Sequence, residues 1–393
     1  MLTPNRFGST GLGAHRQRFL EESLHALRQS LATLNQELII INGLPETALT
    51  TLISDCEIDH VFRSRNAGWY ENQTWQSLSE QHLRTQFTDI DSHTLFDLDS
   101  LPFDLHDLPT SFTKFRKIVE QRDTEKPIAA ITHLPLSPIK QKATASLNTG
   151  DSDISFIGGE AQGFEHLKRY FSGSLPAHYK QVRNAIDGWD NSCKFSPWLA
   201  NGSLSPREVL HWVHEYELKC VKNESTYWIY FELLWREYFQ WLAHKIGHRL
   251  FSASGLKNTS PLTSYYPERF KKWVAGNTPY PLVNACMKEL AATGYLSNRG
   301  RQIVASCFVN ELAMDWRYGA AYFEQVLIDY DVAVNWGNWQ YLAGVGADTR
   351  AKRHFNLEKQ TAMYDPHNQY RSKWQADETT LPLDSVDAAD WPI

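Results

Sequence analysis

Trp228-Ile-Tyr-Phe-Glu-Leu-Leu-Trp-Arg-Glu237 decides how the second half of this chain is read. On a helix of about 3.6 residues per turn, Glu232, Trp235, Arg236 and, just beyond, Phe239 fall at i, i+3, i+4 and i+7. That single stripe mixes carboxylate, indole, guanidinium and phenyl, and a core stripe does not normally carry both an acid and a base. Two readings fit: a buried ion pair with aromatic packing, or a pocket wall that stacks an aromatic ligand and hydrogen-bonds its edge.

The helix around this stretch spans Ser225–His244, and the same apolar spacing recurs in Gly163–Phe171, Ser205–Lys219, Pro281–Ala292, Gly300–Ala313 and Tyr318–Tyr330. Ser205-Pro206-Arg-Glu208 opens one of these with a capping serine and a proline at the first helical position. Residues 158–393 therefore read as an all-helical domain. Residues 91–157 read as a linker, with Pro102, Pro109, Pro127, Pro135, Pro138 and a polar stretch from Lys140 to Asp153. Upstream, residues 1–90 alternate: a helix over Arg16–Leu34, an apolar run Glu37–Asn42 read as a buried strand, a helix over Pro45–Ile53 and a strand at His60–Arg63. Two strands are few for a doubly wound sheet, so this domain reads as incomplete or unusually small. The expected fold class is a truncated α/β parallel-sheet domain followed by an all-α domain, mostly α overall.

The chain has 393 residues, 42% apolar and 21% charged, as in an ordinary globular protein. Its 14 Trp, 17 Tyr and 19 Phe supply either a large core or stacking platforms for bases and rings. A net charge of −6 excludes a chain coated in basic charge, though not a local basic face. Cys56, Cys193, Cys220, Cys286 and Cys307 lie far apart without C-x-x-C spacing, which fits reduced thiols rather than a disulfide framework or zinc site. With no membrane-length apolar run and no signal-peptide order at the start, the chain reads as cytoplasmic.

Phosphate-loop, dinucleotide, nucleophile-elbow and zinc-protease motifs are missing. His244 and His248 have metal-ligand spacing, yet with Gly247, Lys245 and Arg249 beside them they read as a solvated helix end, and no metal is expected. Gly294-Tyr-Leu-Ser-Asn298-Arg299-Gly300-Arg301-Gln302 puts two arginines and an asparagine at a helix start, suited to anions or simply solvated. Asp329-Tyr-Asp331 and Asn335-Trp336-Gly-Asn338-Trp339-Gln340-Tyr341 gather acids, amides and aromatics. Together these segments suggest a helical pocket for a large aromatic, phosphate-bearing ligand, without identifying it.

The same segments resemble the photolyase and cryptochrome family, particularly its cryptochrome-DASH branch. The matching strings are Gly158-Gly-Glu160, Trp189-Asp-Asn-Ser-Cys-Lys-Phe-Ser-Pro197, Trp228 to Glu237, Thr293-Gly-Tyr-Leu-Ser-Asn-Arg-Gly-Arg-Gln302, Asp315-Trp-Arg317 and Asp329 through Gly346. The resemblance implies FAD as cofactor, a monomer, and blue-light-driven repair of cyclobutane pyrimidine dimers in single-stranded DNA, where base flipping costs least. The alternative is a blue-light photoreceptor that signals without repair.

By that resemblance Tyr179, Ser192, Cys193, Lys194, Phe195 and Ser196 hold the diphosphate, and Asn298, Arg301, Asp329, Asp331 and Asn335 surround the isoalloxazine, with Asn335 facing N5. Glu232 bonds the dimer, Trp235 and Tyr341 form aromatic walls, Gln302 is at the pocket floor, and Arg183, Arg236, Arg299 and Arg353 contact DNA. Trp339 and Trp316 match the inner two tryptophans of the family's photoreduction chain, while Thr263 stands where the third belongs; Trp273, Tyr265 and Tyr266 are candidate substitutes. Cys193 replaces the usual Thr or Ser. Family members begin with a strand carrying a W-F-R-x-D-L-R-like motif, whereas this sequence starts roughly where their second helix approaches. The expectation is a shortened amino terminus lacking part of the site for the methenyltetrahydrofolate antenna, which puts that second chromophore in doubt.

Overall fold

The computed structural model describes residues 7–8, 11–137, 139, 156–347, 353–376 and 383–384; the polar stretch Lys140–Asp153 lies outside them. Its elements run α1 (Ala14–Thr33), α2 (Pro45–Asp55), β1 (His60–Ser64), α3 (Trp69–Gln81), β2 (Gln86–Ile90), α4 (Phe112–Val119), α5 (Glu160–Phe171) and α6 (Leu175–Val182). They continue with α7 (Ser196–Asn201), α8 (Pro206–Lys219), α9 (Glu224–Ile246), α10 (Pro267–Val274), α11 (Pro281–Thr293) and α12 (Asn298–Asn310). The last four are α13 (Trp316–Val326), α14 (Val332–Leu342), α15 (Leu357–Tyr364) and α16 (Gln369–Lys373). The expected mixture of a small parallel sheet and many helices is observed.

Two compact units interleave along the chain. The sheet unit comprises Arg18–Ala177 and Phe195–Gly247; the helical unit comprises Met1–Gln17, His178–Lys194 and His248–Ile393.

In the sheet unit, β1 and β2 pair in parallel from His60 opposite Gln86 to Ser64 opposite Ile90. The strand expected at Glu37–Asn42 is absent; this stretch is irregular, with Ile41 exposed. An apolar run becomes a strand only where a neighbour completes its hydrogen-bond ladder, and the sheet among the described residues is made of β1 and β2 alone. Residues 91–119 also depart from the linker reading. Leu95, Phe96, Leu108, Phe112, Phe115 and Val119 are all buried. Phe112 stacks flat on Trp235 of α9 with centroids 3.8 Å apart, and Phe115 meets Tyr238 at 5.3 Å. Proline-rich sequence here marks sharp turns between packed aromatics rather than a free tether.

The caps of α8 and α9 explain where these helices start. Ser205 accepts from the Arg207 amide at 3.2 Å, and Asn223 forms a reciprocal capping box with Thr226. In the helical unit, Trp273, Trp316, Trp336 and Phe308 are among the largest fully buried side chains. Gly319 on α13 makes room for one more indole: a Cβ there would fall 2.3 Å from Cη2 of Trp339. Asp331 caps α14 by accepting from the Val334 amide.

Candidate functional site

Lys194, in the helical unit, holds a left-handed φ of 51° without being glycine, a conformation that persists only where its surroundings impose it. Its ammonium donates to the Ser192 hydroxyl at 3.0 Å and lies over the rings of Tyr295 (5.3 Å to the centroid) and Trp189 (5.9 Å). Among the described residues no carboxylate pairs with it directly. Burial holds the amine below its usual range. A half-buried cation bordered by a hydroxyl and aromatic faces suits an anion with several oxygens.

Arg301, one turn into α12, donates through Nη2 to both oxygens of Asp329 at 3.0 and 2.8 Å, and through Nε to the Leu296 carbonyl. Burial disfavours its charge, but the Asp329 carboxylate outweighs that and holds the guanidinium above its usual range. Asn335 is buried on α14, and its amide donates to the Ala320 carbonyl at 3.0 Å, about one turn into α13. The other end of that amide takes no hydrogen bond from the described residues, so it is open to a ligand N–H. Below Asn335 on the same helix, Trp339 meets Phe323 at 5.2 Å and Trp273 at 6.3 Å, edge to face. Trp316 meets Trp336 at 5.8 Å and donates to the Ala253 carbonyl. Tyr179 is buried, Cys193 is a half-buried free thiol, and Asn298 is exposed at the start of α12.

Two further arginines of this unit lie over tyrosine rings. Arg299 donates to Asn184 at 3.0 Å and lies over Tyr364 at 4.8 Å; burial lowers its pKa, and the charge of Arg183 works in the same direction. Arg353 lies over the Tyr341 ring at 4.0 Å and donates to its hydroxyl. Gln302 is half-buried on α12. The sequence reading gave no role to Asn184 or Tyr295, although Tyr295 stands within one of the strings singled out.

In the sheet unit, the α9 stripe divides. Arg236 donates to the carbonyl and ring of His93 and to the Leu199 carbonyl, so its guanidinium ties α9 to the loop after β2. Next to it, Glu237 is fully buried and accepts from the amides of Leu95 and Phe96 and the indole of Trp241. Burial pushes this carboxyl up to about 7 against those three donors. Trp235 has Phe112 on one face, Glu232 is half-buried, and Phe195 is core, packed on Tyr170 and Phe171; Ser196 starts α7. His244 is not a solvated helix end: burial, with the Arg65 guanidinium adding, pushes its imidazole down to about 4. Among the described residues only Asp104, His106 and Asp107 bring metal-ligand atoms within 4.8 Å of one another, all of them exposed. No helix among them is long and apolar enough to cross a membrane.

Comparison with known proteins gives these features a context. Residues 228–391 match the family described as the FAD binding domain of DNA photolyase, and residues 1–134 match that of DNA photolyase. A protein of Idiomarina loihiensis named cryptochrome DASH is 53% identical, with 100% of this chain and 88% of the relative aligned. Another of that name from Vibrio parahaemolyticus is 49% identical over 97% of this chain and 86% of the relative. The solved Synechocystis cryptochrome superposes with a TM-score of 0.89 at 40% identity, over 96% of this chain and 81% of that one. A class III photolyase from Agrobacterium tumefaciens superposes at 0.80 with 25% identity, over 93% of this chain and 78% of its own.

Proposed function

The chain belongs to the photolyase and cryptochrome family, in its cryptochrome-DASH branch, and from that premise we propose that it binds FAD and repairs cyclobutane pyrimidine dimers in single-stranded DNA under blue light. The observation that carries this reading is the pairing, within one unit, of a cation bordered by hydroxyl and ring with a buried amide open at one end. Lys194 and Ser192 are suited to the diphosphate, with Tyr179 and Cys193 assigned beside them by family resemblance. Arg301, fixed by Asp329, and the open end of Asn335 are suited to the ring edge of a flavin; Asp331 supports Asn335 by capping its helix, and Asn298 is assigned by resemblance alone.

FAD, held by these residues and reduced, would supply light-driven one-electron chemistry for dimer splitting. The protein's own part is to hold, orient and exclude water. Resemblance assigns substrate contacts to Glu232 and Trp235 in the sheet unit and to Tyr341 and Gln302 in the helical unit. DNA-phosphate contacts are assigned by resemblance to Arg183, Arg236, Arg299 and Arg353; Arg236 also donates to His93 and Leu199, Arg299 to Asn184 and Arg353 to Tyr341. Trp339 and Trp316 are assigned to reduction of the cofactor. Trp273 packs against Trp339 but is fully buried, which leaves the exposed Tyr265 and Tyr266 as the candidates for the outer position that Thr263 does not fill.

The test is an absorption spectrum of the purified protein, then anaerobic blue light with a thiol reductant on a single-stranded oligonucleotide carrying a thymine dimer. Flavin absorbance with loss of dimers is the expected outcome. Flavin without dimer loss would move the assignment to a signalling photoreceptor, and a protein unable to take up added flavin would overturn both.

A further inference from the structure

Tyr295 lies between the two halves of the flavin-directed residue set in the helical unit. Its backbone is fixed twice over by one side chain: the Thr293 hydroxyl accepts from the Tyr295 amide at 3.0 Å and is also 3.0 Å from the Tyr295 carbonyl. Gly294 before it takes a φ of 70° to end α11, with His15 and Ile328 so close that a Cβ would fall 2.6 and 2.9 Å from them. Ser297 after it caps α12. The ring is thereby delivered to one place. There, the Lys194 ammonium lies 5.3 Å and the Arg301 guanidinium 5.4 Å from its centroid. Its hydroxyl bonds Ser192, which also takes the Lys194 ammonium, and burial raises the phenol above its usual range.

Two cations brought to one neighbourhood repel each other. A phenol ring attracts each through its negative face, and the Ser192 link ties the same residue to the strained backbone at Lys194. We propose that Tyr295 is a positioning residue that couples Lys194 to Arg301, so that the cation assigned to the diphosphate and the cation assigned to the ring edge are set by one aromatic. The flavin part of this inference rests on the FAD reading above; the part concerning Lys194 does not.

The experiment therefore has two arms. In apoprotein, the labelling rate of Lys194 by an amine-reactive reagent, read by peptide mass spectrometry, is expected to rise several-fold in Tyr295→Leu and to stay near wild type in Tyr295→Phe, which keeps the ring. An unchanged rate in Tyr295→Leu overturns the proposal whether or not FAD binds. In the second arm, FAD titration by fluorescence quenching compares wild type, Lys194→Met, Tyr295→Leu and the double variant. Tyr295→Leu is expected to weaken FAD about tenfold, and the double variant to lose clearly less than the product of the two single losses. A product of independent losses overturns the coupling, while failure of the wild type to bind FAD at all overturns the cofactor reading and leaves the first arm to decide on Tyr295. Thermal melting of each variant checks folding, and if Tyr295→Leu does not fold, Tyr295→Ala and Tyr295→Met take its place in both arms.

Discussion

On α9 Arg236 and Glu237 are occupied by the fold, whereas among the described residues of the helical unit Lys194 and Asn335 keep an end open. Arg236 ties α9 to His93 and Leu199, and Glu237 receives three N–H donors. Lys194 has only a hydroxyl and two rings, and Asn335 has one partner for its amide. The difference separates polar groups that specify a structure from polar groups that await a ligand. A saturated buried group loses stability when removed. An open one loses affinity and leaves stability almost unchanged.

The largest expected effect falls on the saturated side. Glu237→Leu leaves the amides of Leu95 and Phe96 and the Trp241 indole without their acceptor, and should lower stability by about 3–5 kcal/mol, measured by urea unfolding followed by tryptophan fluorescence. On the open side, Lys194→Met should weaken FAD by roughly 10–100-fold, as for loss of one charge-assisted hydrogen bond, while the melting temperature stays near wild type. A melting loss comparable to that of Glu237→Leu would abolish the distinction between the two regions.

The acid limb of stability sharpens it further. Folding lowers the His244 pKa from 6.5 to about 4, so its contribution is complete above about pH 6.5 and lost as pH falls toward 4. Folding raises Glu237 from 4.5 to about 7, so its contribution is complete below about pH 4.5 and lost as pH rises through 7. His244→Gln should therefore flatten the acid side of the unfolding profile by on the order of 2 kcal/mol, with the neutral side unchanged. Ser205→Ala should be mildest, costing about 1 kcal/mol through the lost α8 cap and leaving FAD affinity alone.

Much of this was legible residue by residue. The helices α8, α9 and α11 follow their apolar spacing closely, and the Ser205 cap is where its sequence places it. By contrast, α14 shows no apolar period because its buried residues cover most of its circumference and include the amides Asn335 and Gln340 beside Trp336 and Trp339. Gln86–Ile90 became the second strand while the more apolar Glu37–Asn42 did not, since pairing with β1 decided the matter rather than local composition. The α9 stripe was visible as mixed acid, base and aromatic, and both of its readings apply to different members. Which one holds for Arg236 depends on His93, 143 positions away, and no local pattern carries that information. Tyr295 escaped notice for the same reason: its neighbours Lys194 and Arg301 approach it from separate segments of the chain.

The interleaving of the two units bears on how the chain assembles as it leaves a ribosome. Every residue of the sheet unit has been synthesised once Gly247 is added, whereas the helical unit still lacks everything from His248 onward. His178–Lys194 is then an excursion closed at Ala177 and Phe195, at an entropic cost that grows only slowly with loop length. Ser192 and Lys194 therefore emerge early but acquire Tyr295 and Arg301 late, which makes cofactor capture a final event of biosynthesis rather than a seed for it.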